Sequence, residues 1–483
     1  MIESTADHQP KGTPEAGPCE PGEPGPQGPD WPPRRVRVPP PLISRRMPSG
    51  RGATEQPNVT GDGDAALTPR FWAMVGATGV AAGLFGDLMM LLLFTVQHLA
   101  FGYHSGSFEA AVERTGDVRR LVVLLAAGAF GGLAWYLLRR YTAGKKSELD
   151  DVVWTEGSKL SFRRSLGTSL ISEIVIGMGA SIGRENAPKL MGGACASVLS
   201  NWASLTPAQR RLLMACGAGA GLAAVYNVPL AGALFTAEIM LGSITVPVIL
   251  PALACSWIAT ATAWLYLPDR PTYTDVPDYR LTAALLVWAI VAGPVIGLIA
   301  SAYIRLIGWV SHHQVSGRVA AGAPLLAFGV LGLIALAYPQ LLGNGQDMAR
   351  DAFVGVGGLG LLLVLFALKP LVTALCLGSG ASGGLLTPTL STGAVLGGAL
   401  GIAWSVAWPG SPAGAYAIVG AAAMLGAAMQ APLTALALAL ELTHEGFAII
   451  VPLIAATVIA TVVARYVDGY SIYTARLRAT EDS

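Results

Sequence analysis

The chain has 483 residues, of which 53% are hydrophobic and 13% charged, and its mean hydropathy is +0.54. These values lie outside the range of soluble globular domains and are typical of a membrane protein. The formal net charge of +1 identifies no partner by itself, and no feature of the chain indicates nucleic-acid binding. No long segment after residue 67 has a polar globular composition, so we expect no soluble catalytic domain.

Residues 1–66 are rich in Pro and Gly and contain no sustained apolar run, so we expect a disordered N-terminal tail. No apolar core follows a basic start, which argues against a signal peptide. Arginines lie just before the first apolar run, and the positive-inside rule then favours a cytoplasmic N-terminus. Residues 478–483 are expected to be a short C-terminal tail.

Long apolar runs alternate with short ones along the chain. Runs long enough to cross a bilayer cover residues 71–101, 121–138, 246–267, 281–310, 325–342 and 359–377. Shorter pieces cover residues 166–182, 190–203, 212–225 and 230–241, and others begin at residues 385, 416, 433 and 449. Gly, Asn and Pro join the short pieces in place of polar loops. The pattern predicts an all-α integral membrane protein with many tilted and broken helices.

Residues 177–188 place two charged side chains, Arg184 and Glu185, between apolar runs. An ionisable group there costs several kcal/mol unless it faces protein, water or an ion. The glycines of this segment let the backbone approach a ligand closely, and Pro188 suits the first turn of a following helix. The segment therefore predicts a helix N-terminus inside the membrane, which attracts anions and beside which a carboxylate competes with them.

The second half of the chain repeats features of the first. Residues 217–224 align without a gap with residues 420–427, and both are runs of Gly and Ala. In the same register, Glu238 aligns with Glu441, and each follows an aligned Pro-Leu pair. This predicts a transmembrane domain over residues 67–477 that contains two repeats, about 71–267 and 281–477. A duplicated unit with interrupted helices is typical of transport across a site between repeats.

Four segments, taken together, resemble the CLC family of chloride channels and chloride/proton antiporters. Residues 183–188 are similar to that family's Gly-Arg-Glu-Gly-Pro motif, and residues 226–235 to its Phe-Asn-Ala-Pro-Leu-Ala-Gly segment. Residues 379–388 resemble its Gly-Gly-x-Phe-x-Pro motif and the lead-in to it, and residues 470–473 resemble the segment that supplies a tyrosine to the anion site. The resemblance covers residues 71–477.

The resemblance implies a CLC-type fold of two inverted repeats and a multi-pass protein of the cell membrane. It implies a homodimer in the lipid bilayer, with a separate chloride pathway in each subunit, working as a voltage-gated-type channel or as a chloride/proton antiporter. It implies no enzyme activity, no metal and no organic cofactor. By the same resemblance, Glu185 is the gating glutamate and a candidate proton acceptor. The implied anion-binding residues are Gly183, Arg184, Leu385, Leu386 and Tyr473.

The chain departs from the family at the inner mouth of the implied pathway. Counting back from Glu185 without gaps, the family's Gly-Ser-Gly-Ile-Pro motif falls on residues 143–147, so its anion-coordinating serine becomes Gly144. The lysines that follow, Lys145 and Lys146, either lie at the mouth of the pathway or continue the basic cytoplasmic flank of residues 139–140. Because the serine is replaced, the anion could be chloride or another one, with fluoride, nitrate and bicarbonate as alternatives.

A further departure concerns protons. Family antiporters often carry a second glutamate immediately after the position of Glu238, where this chain has Ile239. An apolar side chain cannot hold a proton, which favours passive conduction, although some family exchangers lack that glutamate. Glu238 and Glu173 are candidates for a proton path, and a structural role is the alternative for each. Channel and exchanger both stay open at this point.

A remote alternative is an intramembrane serine protease. Residues 380–383, Gly-Ala-Ser-Gly, resemble the nucleophile motif of rhomboid-type enzymes, and His444 follows the next apolar segment. Such an enzyme needs Ser382 and a histidine within hydrogen-bond reach. The resemblance to anion transporters already accounts for this glycine cluster, so we do not favour a protease.

Overall fold

A computed structural model of the protein describes residues 67–142 and 160–477, which contain sixteen α-helices and no β-strand. The predicted all-α membrane architecture is confirmed. The predictions made for the tails at residues 1–66 and 478–483, and for Gly144 and Lys145, lie outside the described residues.

The first nine described helices lie between residues 69 and 312. They are α1 (Pro69–Phe101), α2 (Phe108–Arg114), α3 (Asp117–Tyr141), α4 (Phe162–Gly177), α5 (Asn186–Trp202), α6 (Pro207–Tyr226), α7 (Pro229–Leu234), α8 (Val246–Ala263) and α9 (Ala283–His312). A π-helical segment, Phe235–Met240, continues directly from α7. Seven more helices complete the described chain. They are α10 (Ala323–Ala337), α11 (Gln346–Val354), α12 (Leu359–Gly378), α13 (Leu386–Ala407), α14 (Ala413–Met429), α15 (Pro432–Thr443) and α16 (Ile450–Val467).

The helices are as uneven in length as the sequence predicts. Seven helical segments in the described part of the chain are long and apolar enough to cross a membrane: α1, α3, α8, α9, α12, α13 and Phe447–Val467, which contains α16. The predicted run 325–342 is shorter than expected, because its helix ends at Ala337. Pro339 starts a short 3-10 turn there, and a proline cannot continue the preceding helix.

The two aligned runs of small residues lie in buried helices. Every residue of 217–224 in α6 and of 420–427 in α14 is buried. A Cβ on Gly217 would meet the backbone of Gly192 in α5, and a Cβ on Gly420 would meet the backbone of Gly397 in α13. Small residues let these helix backbones approach closely, which is how helices associate where no water drives them together.

Each of two glutamates caps the start of a helix in the other half of the chain. Glu441 accepts hydrogen bonds from the backbone N–H groups of Leu230 (3.0 Å) and Ala231 (2.7 Å) at the start of α7. Glu238 accepts them from the N–H groups of Leu433 (3.2 Å) and Thr434 (2.7 Å) at the start of α15, and from the Thr434 hydroxyl (2.7 Å). The two-repeat organisation stays a prediction, and this reciprocal pair of caps favours it.

Candidate functional site

The segment between α4 and α5 is fastened to the segment before α13. Gly183 donates its N–H to the Gly384 carbonyl oxygen at 2.8 Å, and Gly384 donates its N–H to the Gly183 carbonyl oxygen at 2.7 Å. A side chain on either glycine would collide with the carboxylate of Glu185. The two glycines therefore leave the space that this carboxylate fills.

Glu185 is fully buried, and its carboxylate lies at the N-terminus of α13 rather than of its own helix. Its Oε1 accepts a hydrogen bond from the backbone N–H of Leu386 at 2.7 Å. Its Oε2 lies 3.3 Å from the hydroxyl of Thr387 and 3.5 Å from that of Tyr226, and these two hydroxyls are 2.7 Å apart. The carboxylate thus occupies the place where the free N–H groups of a helix start would hold an anion.

Arg184 packs against two aromatic rings. Its guanidinium carbon lies 5.0 Å from the ring centroid of Tyr226 and 5.8 Å from that of Phe94. Among the described residues, Arg184 forms no ion pair with Glu185. Cation–π contacts of this kind stabilise a guanidinium that is largely removed from water, and the side chain of Arg184 is only 9% exposed.

A cavity of about 470 Å³ lies over Arg184 and Tyr226. Its other walls come from the end of α1, the start of α2 and the segment that leads into α11, and they include Glu109 and Asp347. Arg184, Arg270 and Arg350 all line this cavity. Cations on a cavity wall attract anions toward it.

Tyr473 lies in a second buried group. It is 6% exposed, its ring packs edge-on against Phe235 at 5.9 Å between centroids, and its hydroxyl is 3.9 Å from the Sδ atom of Met429. Lys189, one helical turn after Glu185 on α5, directs its ammonium toward both rings. The structure thus brings Gly183, Arg184, Glu185, Leu385 and Leu386 together and places Tyr473 apart from them.

The sequence did not identify three of the residues that surround Glu185 and Tyr473. Tyr226 occupies the place of the phenylalanine in the family's segment, and its hydroxyl is the only sequence feature that could have indicated its contact with Glu185. Thr387 lies inside a recognised motif at a position that the motif leaves open. Lys189 is a charge in an apolar run, and the sequence alone does not show which way it points.

The two candidate proton residues have different surroundings. Glu173 in α4 is fully buried, and neither of its carboxylate oxygens has a hydrogen-bond partner among the described residues. Glu238 instead accepts three hydrogen bonds at the start of α15.

Ser382 and His444 do not form a catalytic pair in the described part of the chain. The Ser382 hydroxyl accepts a contact from Asn186 Nδ2 at 3.5 Å, and no hydrogen bond joins it to a histidine among the described residues. His444 is the C-cap residue of α15, with positive φ. Without a base beside it, the serine hydroxyl is not activated as a nucleophile.

The fold and the site define a multi-pass membrane protein in which broken helices meet around a buried carboxylate. Residues 127–465 match the family described as voltage gated chloride channel, and the chain belongs to this family. Among curated relatives, it is 31% identical over 322 residues to "Voltage-gated ClC-type chloride channel ClcB" of Escherichia coli, with 64% of this chain and 74% of the relative covered. The protein of the same name from Shigella flexneri is 30% identical, with the same coverage.

Two solved structures share the fold. One, described as a slow cyanobacterial Cl⁻/H⁺ antiporter, has a TM-score of 0.73 and 24% identity, with 85% of this chain and 97% of that one covered. The other, described as a CLC-type fluoride/proton antiporter, has a TM-score of 0.66 and 21% identity, with 84% and 97% covered. At these identities the likeness establishes the fold alone.

A cluster of carboxyl groups lies beside the cavity, outside the membrane-spanning helices. Glu109 is 9% exposed and its Oε2 has no hydrogen-bond partner in the described structure, while its backbone N–H donates to Asp347 Oδ2 at 2.8 Å. Burial, together with the nearby carboxylates of Asp351 and Asp347, raises the pKa of Glu109 to about 8. The folded protein therefore holds a proton on Glu109 at neutral pH.

This proton makes the stability of the folded state depend on pH. The unfolded chain loses the Glu109 proton at about pH 4.3, which is the ordinary pKa of an exposed glutamate. The folded chain loses it near pH 8. Stability contributed by this group therefore falls as the pH rises between these two values and levels off above them. Glu109→Gln should flatten the fall, measured as Tm of the detergent-purified protein from about pH 5 to about pH 9. Asp278→Asn, at an exposed position in another part of the chain, is the control, and equal slopes in wild type and Glu109→Gln would contradict the assignment.

Proposed function

We propose that this protein transports chloride across a membrane through a pathway that the Glu185 side chain closes. The observation that carries the proposal is the 2.7 Å hydrogen bond from the Leu386 N–H to Glu185 Oε1 at the start of α13. A helix start inside a membrane is an anion site, and here a carboxylate takes the place of the anion. When the carboxylate leaves, the same N–H group and the hydroxyls of Thr387 and Tyr226 are free to bind chloride.

The donors around Glu185 suit an ion that must pass through. Backbone N–H groups and hydroxyls replace part of the hydration shell of an anion, yet bind weakly enough to release it. We assign chloride ahead of fluoride, nitrate or bicarbonate because the family and the curated relatives are described as chloride channels. The same description favours transport over an enzymatic activity.

Proton movement depends on which carboxyl groups can carry a proton. Glu185 is the first candidate for a proton carrier, because its carboxylate gives up the hydrogen bond from Leu386 when the proposed gate opens. Glu173 is favoured over Glu238 as the second, because Glu173 is buried without donors and Glu238 is held as a helix cap. Ile239, at the position where family antiporters often have a glutamate, is apolar and buried.

We also propose a homodimer in the cell membrane, with one pathway in each subunit and the N-terminus on the cytoplasmic side. The family resemblance supports the dimer, and the arginines before the first span support the orientation. Light scattering from the purified protein in detergent should give the mass of two chains in each particle. Particles of one chain would contradict the dimer.

Replacing Glu185 by glutamine should open the pathway. The amide is similar in size but cannot ionise, so it loses the charge-assisted bond to Leu386, worth about 1.5–3 kcal/mol. We expect Glu185→Gln to retain chloride flux, to lose most of its pH dependence and to abolish any proton coupling of the wild type. Glu185→Ala should do the same with a less obstructed path. The measurement is chloride and proton flux in liposomes under crossed chloride and pH gradients.

Glu441→Gln is the matched control for this experiment. Glu441 also caps a helix start with two N–H donors, but it lies at α7, away from the Glu185 group. Its replacement should cost about 1 kcal/mol of stability, as for other helix caps, and leave the pH dependence of flux unchanged. A folded Glu185→Gln protein whose chloride flux still follows pH as the wild type does would refute the gate. Loss of all transport would favour a purely structural glutamate.

Tyr473 is proposed to touch the permeant anion through its hydroxyl. The alternative is an interfacial aromatic anchor, for which the nearby and more exposed Tyr470 is the better candidate. Tyr473→Phe should change chloride occupancy or the chloride-to-nitrate flux ratio, while Tyr470→Phe leaves both unchanged. Anion competition in the liposome flux assay distinguishes the two residues, and equal effects of both substitutions would argue for the anchor.

A further inference from the structure

A second cavity, of about 280 Å³, is lined by residues of α2, α11 and the first two turns of α12. Part of its wall is acidic and contains the carboxyl groups of Glu109, Glu113, Asp347 and Asp351. Another part is apolar and contains the leucines at positions 361, 362 and 365. Small-molecule sites have volumes of roughly 300–1,000 Å³, so this cavity suits a small ligand.

Two buried oxygen atoms of residues that line this cavity accept no hydrogen bond in the described structure. Glu109 is only 9% exposed, and its Oε2 has no partner there. Gln340 donates from Nε2 to Glu113 Oε1 at 3.3 Å, which leaves Gln340 Oε1 buried without a donor. Because buried acceptors in native proteins are nearly always paired, these two indicate a donor that comes from outside the chain.

The four carboxyl groups have no cation paired with them. Among the described residues, no ion pair joins any of them to a lysine or an arginine. Arg350, on the same helix as two of them, pairs instead with Asp275 at 3.1 Å and offsets the cluster only in part. Carboxylates that are grouped in this way repel one another, so a cation among them is stabilising.

The cation that fits this cavity is a primary ammonium with a hydrocarbon end. Within residues 67–142 and 160–477, no three His, Cys, Asp or Glu side chains are placed to hold a metal ion. A primary ammonium brings three N–H donors, which suits separate acceptors such as Glu109 and Gln340. Its hydrocarbon end would contact Leu362 and Leu365, both of which are buried.

We propose that this cavity binds a small free amine, with its ammonium at the acidic wall and its hydrocarbon end against the leucines of α12. A lipid with an ethanolamine headgroup offers the same ammonium, but the carboxylates would repel its phosphate. The site is separate from the proposed chloride pathway. Its test therefore measures binding, and the outcome of the flux experiments does not affect it.

The test is the Tm of the full-length protein in detergent, titrated with n-hexylammonium at constant chloride concentration. A ligand that binds only the folded state raises Tm with its concentration. The pH is held at about 9, where Glu109 is ionised and an alkylammonium, with a pKa like the lysine value of about 10.4, is still charged. Methylammonium provides the charged end alone, and hexan-1-ol provides the hydrocarbon end alone.

We expect n-hexylammonium to raise Tm with an apparent affinity about tenfold or more above that of either partial probe, because each lacks one of the two contacts. No rise in Tm, or an equal effect of hexan-1-ol, overturns the proposal. Dihexanoyl phosphatidylethanolamine should raise Tm less than n-hexylammonium does at the same concentration. A larger rise would assign the site to a lipid headgroup and overturn the free amine.

Glu109→Gln should weaken the n-hexylammonium affinity by about tenfold to a hundredfold, the range for one hydrogen bond to a charged group. Asp87→Asn is the matched control. Asp87 is also 9% exposed and its Oδ1 has no partner in the described structure, but it lies in α1 and lines neither cavity. Asp87→Asn should keep the wild-type affinity. A Glu109→Gln protein that binds n-hexylammonium as the wild type does overturns the site.

A second substitution keeps the test decisive if Glu109→Gln does not fold. Asp351 is partly exposed and its carboxyl group lines the same cavity, so Asp351→Asn removes one charge of the cluster with little effect on packing. It should weaken the n-hexylammonium affinity severalfold and leave the response to hexan-1-ol unchanged. An affinity equal to that of the wild type overturns the proposal.

Discussion

A helix that begins inside a membrane leaves backbone N–H groups that water cannot reach, and this constraint shapes the whole protein. Three helices satisfy these N–H groups in the same way, by donating them to a glutamate carboxylate from a distant part of the chain. Glu441 serves α7, Glu238 serves α15 and Glu185 serves α13. At these three places the free N–H groups of a helix start and the carboxylate that caps them stabilise each other.

The three glutamates differ in what surrounds them. Glu441 and Glu238 form a reciprocal pair that joins the two halves of the chain. Glu185 lies next to Arg184, which lines a cavity, and we propose that an arriving anion takes the place of its carboxylate. The first two caps join the halves of the chain, and the third is the proposed gate.

The sequence predicted the helical class and the breaks in the helices, and it singled out Glu185 as the proposed gate, because each depends on local composition or on a motif within one segment. Charge between apolar runs marked Glu185, and the glycine clusters marked the segments around it. The sequence could not place Tyr226 beside Thr387, because these hydroxyls are 161 positions apart and meet only in the folded chain. It also could not orient Lys189, since the direction of a side chain on a buried helix depends on which neighbours pack against it. Helix ends were predicted less well, as Pro339 shows for α10.

The two hydrogen bonds between Gly183 and Gly384 have a consequence for speed. They hold the backbone on both sides of the Glu185 carboxylate. In the proposed gate, opening therefore needs only a change of the Glu185 rotamer, and its barrier is set by the hydrogen bonds that the carboxylate releases. An anion that binds the released donors lowers that barrier, so the proposed gate opens on the fast timescale of side-chain motion and without movement of the helices.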